Sequence, residues 1–131
     1  MNTVPLELNR HDLFPCSIYR GNDTRWLSLD KHVDPIINEL KKENHKKLKD
    51  GKIDQLPNSY HSHNLWKDEP FKPFAEFVMQ QMWNVLSWQG YRLEGKVPLL
   101  QECWVQEFPE EGGFHDIHIH GNNHMSGFYF L

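Results

Sequence analysis

Cysteine is scarce in this 131-residue chain: Cys16 and Cys103 are the only two, far apart and in no Cys-x-x-Cys spacing. That excludes a disulfide framework and argues against a thiolate metal site, so any bound metal must rest on imidazole and carboxylate. Long apolar runs are missing too. The mean hydropathy is −0.72, and no stretch approaches the length a membrane span requires. The opening Met1-Asn2-Thr3-Val4-Pro5 has neither a basic nor an apolar leader region, so no secretory signal, a cytoplasmic location and two reduced thiols are expected. Positive charge is not in excess: 14 Lys and Arg stand against 18 Asp and Glu, which argues against a nucleic-acid groove. The lysines between Lys41 and Lys49 are interleaved with Glu43 and followed by Asp50, the pattern of a solvated helix face. There is no internal repeat or low-complexity tract. What remains, 38% hydrophobic residues with five Trp and eight Phe, is core material for a single domain over residues 1–131.

Leu13 to Tyr19 reads as a short extended segment ended by Gly21-Asn22-Asp23. Asp34-Pro35 is a helix-start signal, with Asp as the cap and Pro in the first turn. Ile36, Ile37, Leu40 and Leu48 give that helix a narrow apolar stripe, and Gly51 is its stop. Residues 52–66 are rich in turn formers. After Asp68-Glu69-Pro70 comes a stronger helix: Phe71, Phe74, Val78, Met82, Val85 and Leu86 recur at helical spacing, and Gly90 follows the last turn. Phe77 and Trp88 widen its apolar face, which is expected to pack against a sheet. Leu99–Phe108, Phe114–His120 and Met125–Leu131 read as three strands, joined by turns at Pro109–Gly113 and Gly121–Asn123. Two helices followed by three antiparallel strands imply an α+β fold, or the first strands of a barrel or sandwich. Residues 1–96 would be a helical support and 97–131 the first barrel strands.

Histidine is what the chain has in quantity. Of nine, four fall within ten residues: His115, His118, His120 and His124, with Asp116 among them. On a strand, residues two apart share a face. His118 and His120 therefore project together, Asp116 shares their parity, and His115 points the other way. Two imidazoles on one face are half of a metal site, and imidazole and carboxylate suit Fe(II), Zn, Mn or Ni. The bland reading is that a His-x-His pair in so His-rich a chain is ordinary surface. His61 and His63 share the spacing but lie in a turn-rich region, where the bland reading is preferred. His124 would cap the hairpin or shield the pocket; His11, His32 and His45 read as surface.

The order of these features sharpens the reading. Trp104-Val105-Gln106-Glu107-Phe108-Pro109, a Gly-Gly turn, His118-Ile119-His120, a Gly-Asn-Asn turn and Ser126-Gly127-Phe128-Tyr129-Phe130-Leu131 resemble the 2-oxoglutarate/Fe(II)-dependent oxygenases. The nearest likeness is to a prolyl-hydroxylase-like group found in marine bacteria and their phages. Leu13-Phe14-Pro15-Cys16-Ser17 and Tyr60-His61-Ser62 echo two further segments of that group. The specific part of the resemblance covers residues 101–131.

The resemblance implies a double-stranded β-helix (jelly roll) holding Fe(II), with 2-oxoglutarate as co-substrate and a peptide or small molecule as substrate. In such enzymes decarboxylation of 2-oxoglutarate to succinate and CO2 is coupled to hydroxylation. His118 falls on the first iron ligand. His120 falls where many relatives carry Asp, so the second ligand is His120, or Asp116 in reserve, or water. Phe130 stands where a second Tyr is usual, leaving Tyr129 as the candidate co-substrate contact. The family's distal His and its Arg or Lys partner for 2-oxoglutarate lie on later strands, so the chain is expected to be an N-terminal portion with an incomplete jelly roll. Its last strand would leave an exposed edge open to a homodimer. The alternatives are a cupin-like metal-binding barrel without oxygenase activity, and an inactive phage structural or binding module.

Overall fold

The computed structural model describes residues 17–110 and 112–131. Arg10, His11, Cys16 and the Leu13–Cys16 part of the first extended segment lie outside the described residues; Ser17–Tyr19 has no regular structure.

Arg25 closes the turn that opens the fold. Its main-chain N–H and its Nε–H both donate to Asp23 Oδ1, at 3.0 and 2.9 Å. The Arg25 guanidinium holds the Asp23 carboxyl below its ordinary range. A 3-10 turn, Leu27–Leu29, then leads into helix α1, Asp30–Lys49. The helix starts ahead of the Asp34-Pro35 signal, and Pro35 lies inside it. An interior proline costs a helix about 3 kcal/mol, but Leu29, Val33 and Ile36 place one stripe on the core and Ile37 is buried. Each such aliphatic side chain contributes about 1.5–3 kcal/mol on burial, so packing outweighs the break. Asp30 lies in the first turn and Lys46, Lys47 and Lys49 in the last, matching the helix dipole at both ends. Gly51, at φ 65°, ends α1, with Lys52 N–H donating to Lys47 O at 2.8 Å.

Helix α2, Lys72–Trp88, ends the same way: Gly90 has φ 83° and Tyr91 N–H donates to Leu86 O at 3.1 Å. Its Phe74 and Phe77 rings lie 5.5 and 5.4 Å from the Trp26 ring. The apolar face expected to meet a sheet meets this aromatic cluster instead.

Two strands, β1 (Tyr60–His61) and β2 (Gln106–Glu107), pair antiparallel with Tyr60 opposite Glu107 and His61 opposite Gln106. Beyond them the ribbon continues with side chains standing in for main-chain partners. Ser62 N–H donates to Val105 O and Ser62 Oγ accepts from Val105 N–H, both at 3.0 Å. Asn64 Oδ1 accepts from Cys103 N–H and its Nδ2 donates to Gln101 O, again at 3.0 Å. Leu65 N–H donates to Cys103 O at 2.7 Å. Ser62 is the buried polar residue this pairing requires. Helix α1 covers the ribbon: Lys41 forms an ion pair with Glu107 and lies 5.8 Å over the Tyr60 ring. The core is Leu29, Leu65 and Phe71, flanked by Trp26, Val33, Ile36, Phe74 and Val105.

The double-stranded β-helix expected from the resemblance is not what forms. The described residues make a mostly helical unit with one two-stranded sheet, in which only Gln106–Glu107 of the first expected strand is a strand. Phe114–His120 and Met125–Leu131 have the alternation of strands but no regular structure. The reason is physical: a strand exists by virtue of its neighbour, and among the described residues no strand pairs with 112–131. They are held by side chains. Tyr129 OH donates to Asp23 O, its ring meets Phe74 at 5.5 Å, and His124 meets Tyr91 at 5.8 Å.

Candidate metal centre

The turn at Pro109–Gly113 delivers the histidine segment. Gly112 has φ 71°, a backbone conformation that favours glycine. A Cβ on Gly113 would stand 2.9 Å from Phe108 Cβ, Pro109 Cδ and Pro109 O. The chain therefore folds back against Phe108-Pro109 only because residue 113 lacks a side chain.

Beyond it three imidazoles gather. His118 and His120 bring their Nε2 atoms to 3.0 Å of each other. His118 Nδ1 lies 2.9 Å from the main-chain oxygen of Asp116. A carbonyl only accepts, so Nδ1 carries the proton and the lone pair sits on Nε2. His120 then donates through its own Nε2–H in the metal-free pair. His115 Nδ1 lies 3.1 Å from the same Asp116 oxygen, and its ring centroid is 4.3 Å from that of His118. Strand parity predicts His115 on the opposite side; without a neighbouring strand to enforce parity, it turns back onto the carbonyl. The carboxylate of Asp116 is not what the histidines use: the residue serves them through its main chain.

The donor chemistry fits a divalent first-row metal. Two imidazole nitrogens each about 2.1 Å from one ion, at about 90°, stand about 3.0 Å apart. Fixing the Nδ1 proton on a carbonyl is the usual way a protein presents Nε2 to a metal. The set is not complete in itself. Among the described residues, no three His, Cys, Asp or Glu side chains come together as a metal-holding group. The structure brings His118, His120 and the Asp116 backbone together and leaves Tyr129 elsewhere, against Phe74 with its hydroxyl on Asp23.

Two residues of the neighbourhood carry no catalytic signal in the sequence. Trp104 lies nearly parallel to His120, at 12° and 6.3 Å between centroids, and against His61 at 4.9 Å. His61 sits on β1, not in a turn, with Nδ1 2.7 Å from Ser62 O. The polar Ser62 and Asn64 at alternate positions were the available clue to that ribbon. Beside the imidazoles, Pro57, Asn58, Ser59, Phe114, His115 and Asp116 line a shallow, open cavity of about 270 Å³. A second cavity, of about 350 Å³, lies along α2 between Trp83 and Pro98 and includes none of these residues.

No protein-family model, curated protein or solved structure matches this chain. No helix among the described residues is long and apolar enough to cross a membrane.

Proposed function

We propose that the chain binds Fe(II) through His118 and His120 and serves a 2-oxoglutarate-dependent hydroxylation of a peptide or small molecule. The observation that supports this most is the convergence of the two Nε2 atoms at 3.0 Å, with the Nδ1 proton of His118 held by Asp116 O. The sequence resemblance over residues 101–131 supplies the reaction class. Fe(II), when bound, supplies the redox chemistry toward O2 and a chelating centre for 2-oxoglutarate. The chain's own residues would present two imidazoles to the ion on an exposed segment, leaving room beside it for co-substrate and substrate. Asp116, through its carbonyl, keeps the His118 lone pair aimed at the metal. The cavity of Pro57–Ser59 and Phe114–Asp116 is the adjoining space for a substrate. A cytoplasmic setting (a host's, for a phage-encoded chain) and pairing of two copies through the exposed Met125–Leu131 segment, where Phe128 and Phe130 face solvent, belong to the same reading.

One observation favours a second reading, a metal-binding module without oxygenase activity. The Tyr129 hydroxyl is already committed to the Asp23 carbonyl and is not free to hold 2-oxoglutarate. Anaerobic Fe(II) titration, with and without 2-oxoglutarate, followed by measurement of succinate release in air, separates the two. Oxygenase function predicts Fe(II) binding, a spectral change with 2-oxoglutarate and succinate; the module predicts metal binding alone. His118→Ala is expected to lower Fe(II) affinity by more than the about 10–100-fold typical of losing a supporting contact. Unchanged affinity in that variant would remove the pair as the metal site.

A further inference from the structure

We infer that Trp104 is a positioning residue for His120, setting the orientation of the second imidazole from a ribbon that the rest of the fold holds rigid. The inference rests on the metal-binding reading above.

It starts from an asymmetry between the two histidines. His118 has its own anchor, Nδ1 on the Asp116 carbonyl at 2.9 Å. His120 has none of this kind. Among the described residues its ring nitrogens make one hydrogen bond, the 3.0 Å contact with His118 itself. That contact must give way when a metal takes both lone pairs. What then still limits rotation of the His120 ring is the indole of Trp104, nearly parallel at 12°. An offset-parallel aromatic pair is enough to favour one ring orientation by up to about 10-fold.

Trp104 suits that task because its own backbone cannot wander. On one side Cys103 is bonded through both main-chain groups, N–H to Asn64 Oδ1 and O from Leu65 N–H. On the other, Val105 is bonded through both of its groups to Ser62, and Val105 packs on the Leu29–Leu65–Phe71 core. Residues 103 and 105 share one face of the extended segment, so Trp104 projects to the other. There the register, His61 opposite Gln106, makes His61 a diagonal cross-strand neighbour of Trp104, and the two rings meet at 4.9 Å. His61 is thus a backstop for the indole. The ribbon holds Trp104, Trp104 orients His120, and the Asp116 carbonyl orients His118: two independent supports for one pair of nitrogens.

The experiment uses the full chain with histidine ring carbons labelled, as wild type and as Trp104→Ala, Trp104→Phe and His118→Ala. In metal-free protein, the His120 ring protons are expected upfield from the indole ring current, to lose that shift in Trp104→Ala and to keep part of it in Trp104→Phe. Calorimetric titration with Fe(II) under anaerobic conditions is expected to show about 10-fold weaker binding in Trp104→Ala, restored toward wild type in Trp104→Phe. A polar-contact or purely structural role would not be rescued by an aromatic ring that restores only the stack. The inference is overturned if His120 resonances and Fe(II) affinity are unmoved in Trp104→Ala while His118→Ala abolishes binding; the metal reading then stands. It is also overturned if Trp104→Phe, folded by near-ultraviolet dichroism, binds as weakly as Trp104→Ala. If wild type and His118→Ala bind Fe(II) equally, the metal reading itself falls, and the ring-current comparison still tells whether Trp104 orients His120.

Discussion

Trp26 illustrates how single residues carry the weight of so small a core. Its ring joins α2 to the 3-10 turn through Phe74 and Phe77, and the Arg25 guanidinium lies 5.9 Å over it. Yet its indole Nε1 is buried with no hydrogen-bond partner among the described residues, which costs about 1–3 kcal/mol relative to a satisfied donor. Trp26→Phe removes that cost while giving up some packing, and is expected to change stability by less than about 1.5 kcal/mol. Trp26→Ala loses the whole contact and is expected to cost about 3–5 kcal/mol; urea unfolding of both variants checks the contrast. Close by, Asp23 is held below the ordinary carboxylate range by its hydrogen bonds from Arg25, so its contribution is present above about pH 3.9 and is lost as pH falls through the lowered value. Arg25 is exposed and Asp23 partly covered, so the effect is partly screened by salt. A carboxyl NMR titration should place the Asp23 midpoint below its ordinary value, Arg25→Gln should return it, and the Tyr129 ring signals should move in the same window because the Tyr129 hydroxyl rests on Asp23 O.

At the scale of elements, the turn at Pro109–Gly113 is the most exposed to a small change. Gly113→Ala puts a methyl 2.9 Å from the Phe108 and Pro109 atoms, and something in the backbone must shift. The expected outcome is a displaced histidine segment: weaker Fe(II) binding by about 10-fold, as for other losses of support, with the thermal midpoint nearly unchanged because residues 114–120 add nothing to the core. An unaltered affinity would show that the turn does not aim the pair. Much of the element order was readable beforehand. Helical spacing and the Gly51 and Gly90 stops located both helices, since these are local signals, and the turns at 109–113 and 121–123 followed from glycine and asparagine, with Asn122 at φ 63°. What could not be read was non-local. Alternation in Phe114–His120 and Met125–Leu131 says which side chains share a face of a strand, not whether a neighbouring strand exists. The ribbon of 60–65 with 101–107 was hidden because Ser62 and Asn64 look like turn formers while acting as pairing partners. The nearness of His118 and His120 was legible from spacing alone; the turned-back His115 and the stacked Trp104 depend on chain crossings that no local pattern encodes.

Across the whole molecule, apolar surface is unevenly spent. The helices and the ribbon own the core, whereas Val97, Leu99, Ile117, Ile119, Phe128 and Phe130 are each more than four-fifths exposed. Contiguous exposed apolar surface marks an interaction site or an aggregation liability. The chain is expected to self-associate: sedimentation should show a mass rising above 15.7 kDa with concentration, and Phe128→Ser with Phe130→Ser should return it toward the monomer. A monomer at all concentrations would count against pairing of two copies. The Asp116 carbonyl receives both His115 and His118, so both of its lone pairs are in use, and a crankshaft rotation of the single peptide plane between Asp116 and Ile117 would release two imidazoles in one motion. Turning that one plane would thus free His115 and His118 together, while His120 would keep its stack on Trp104.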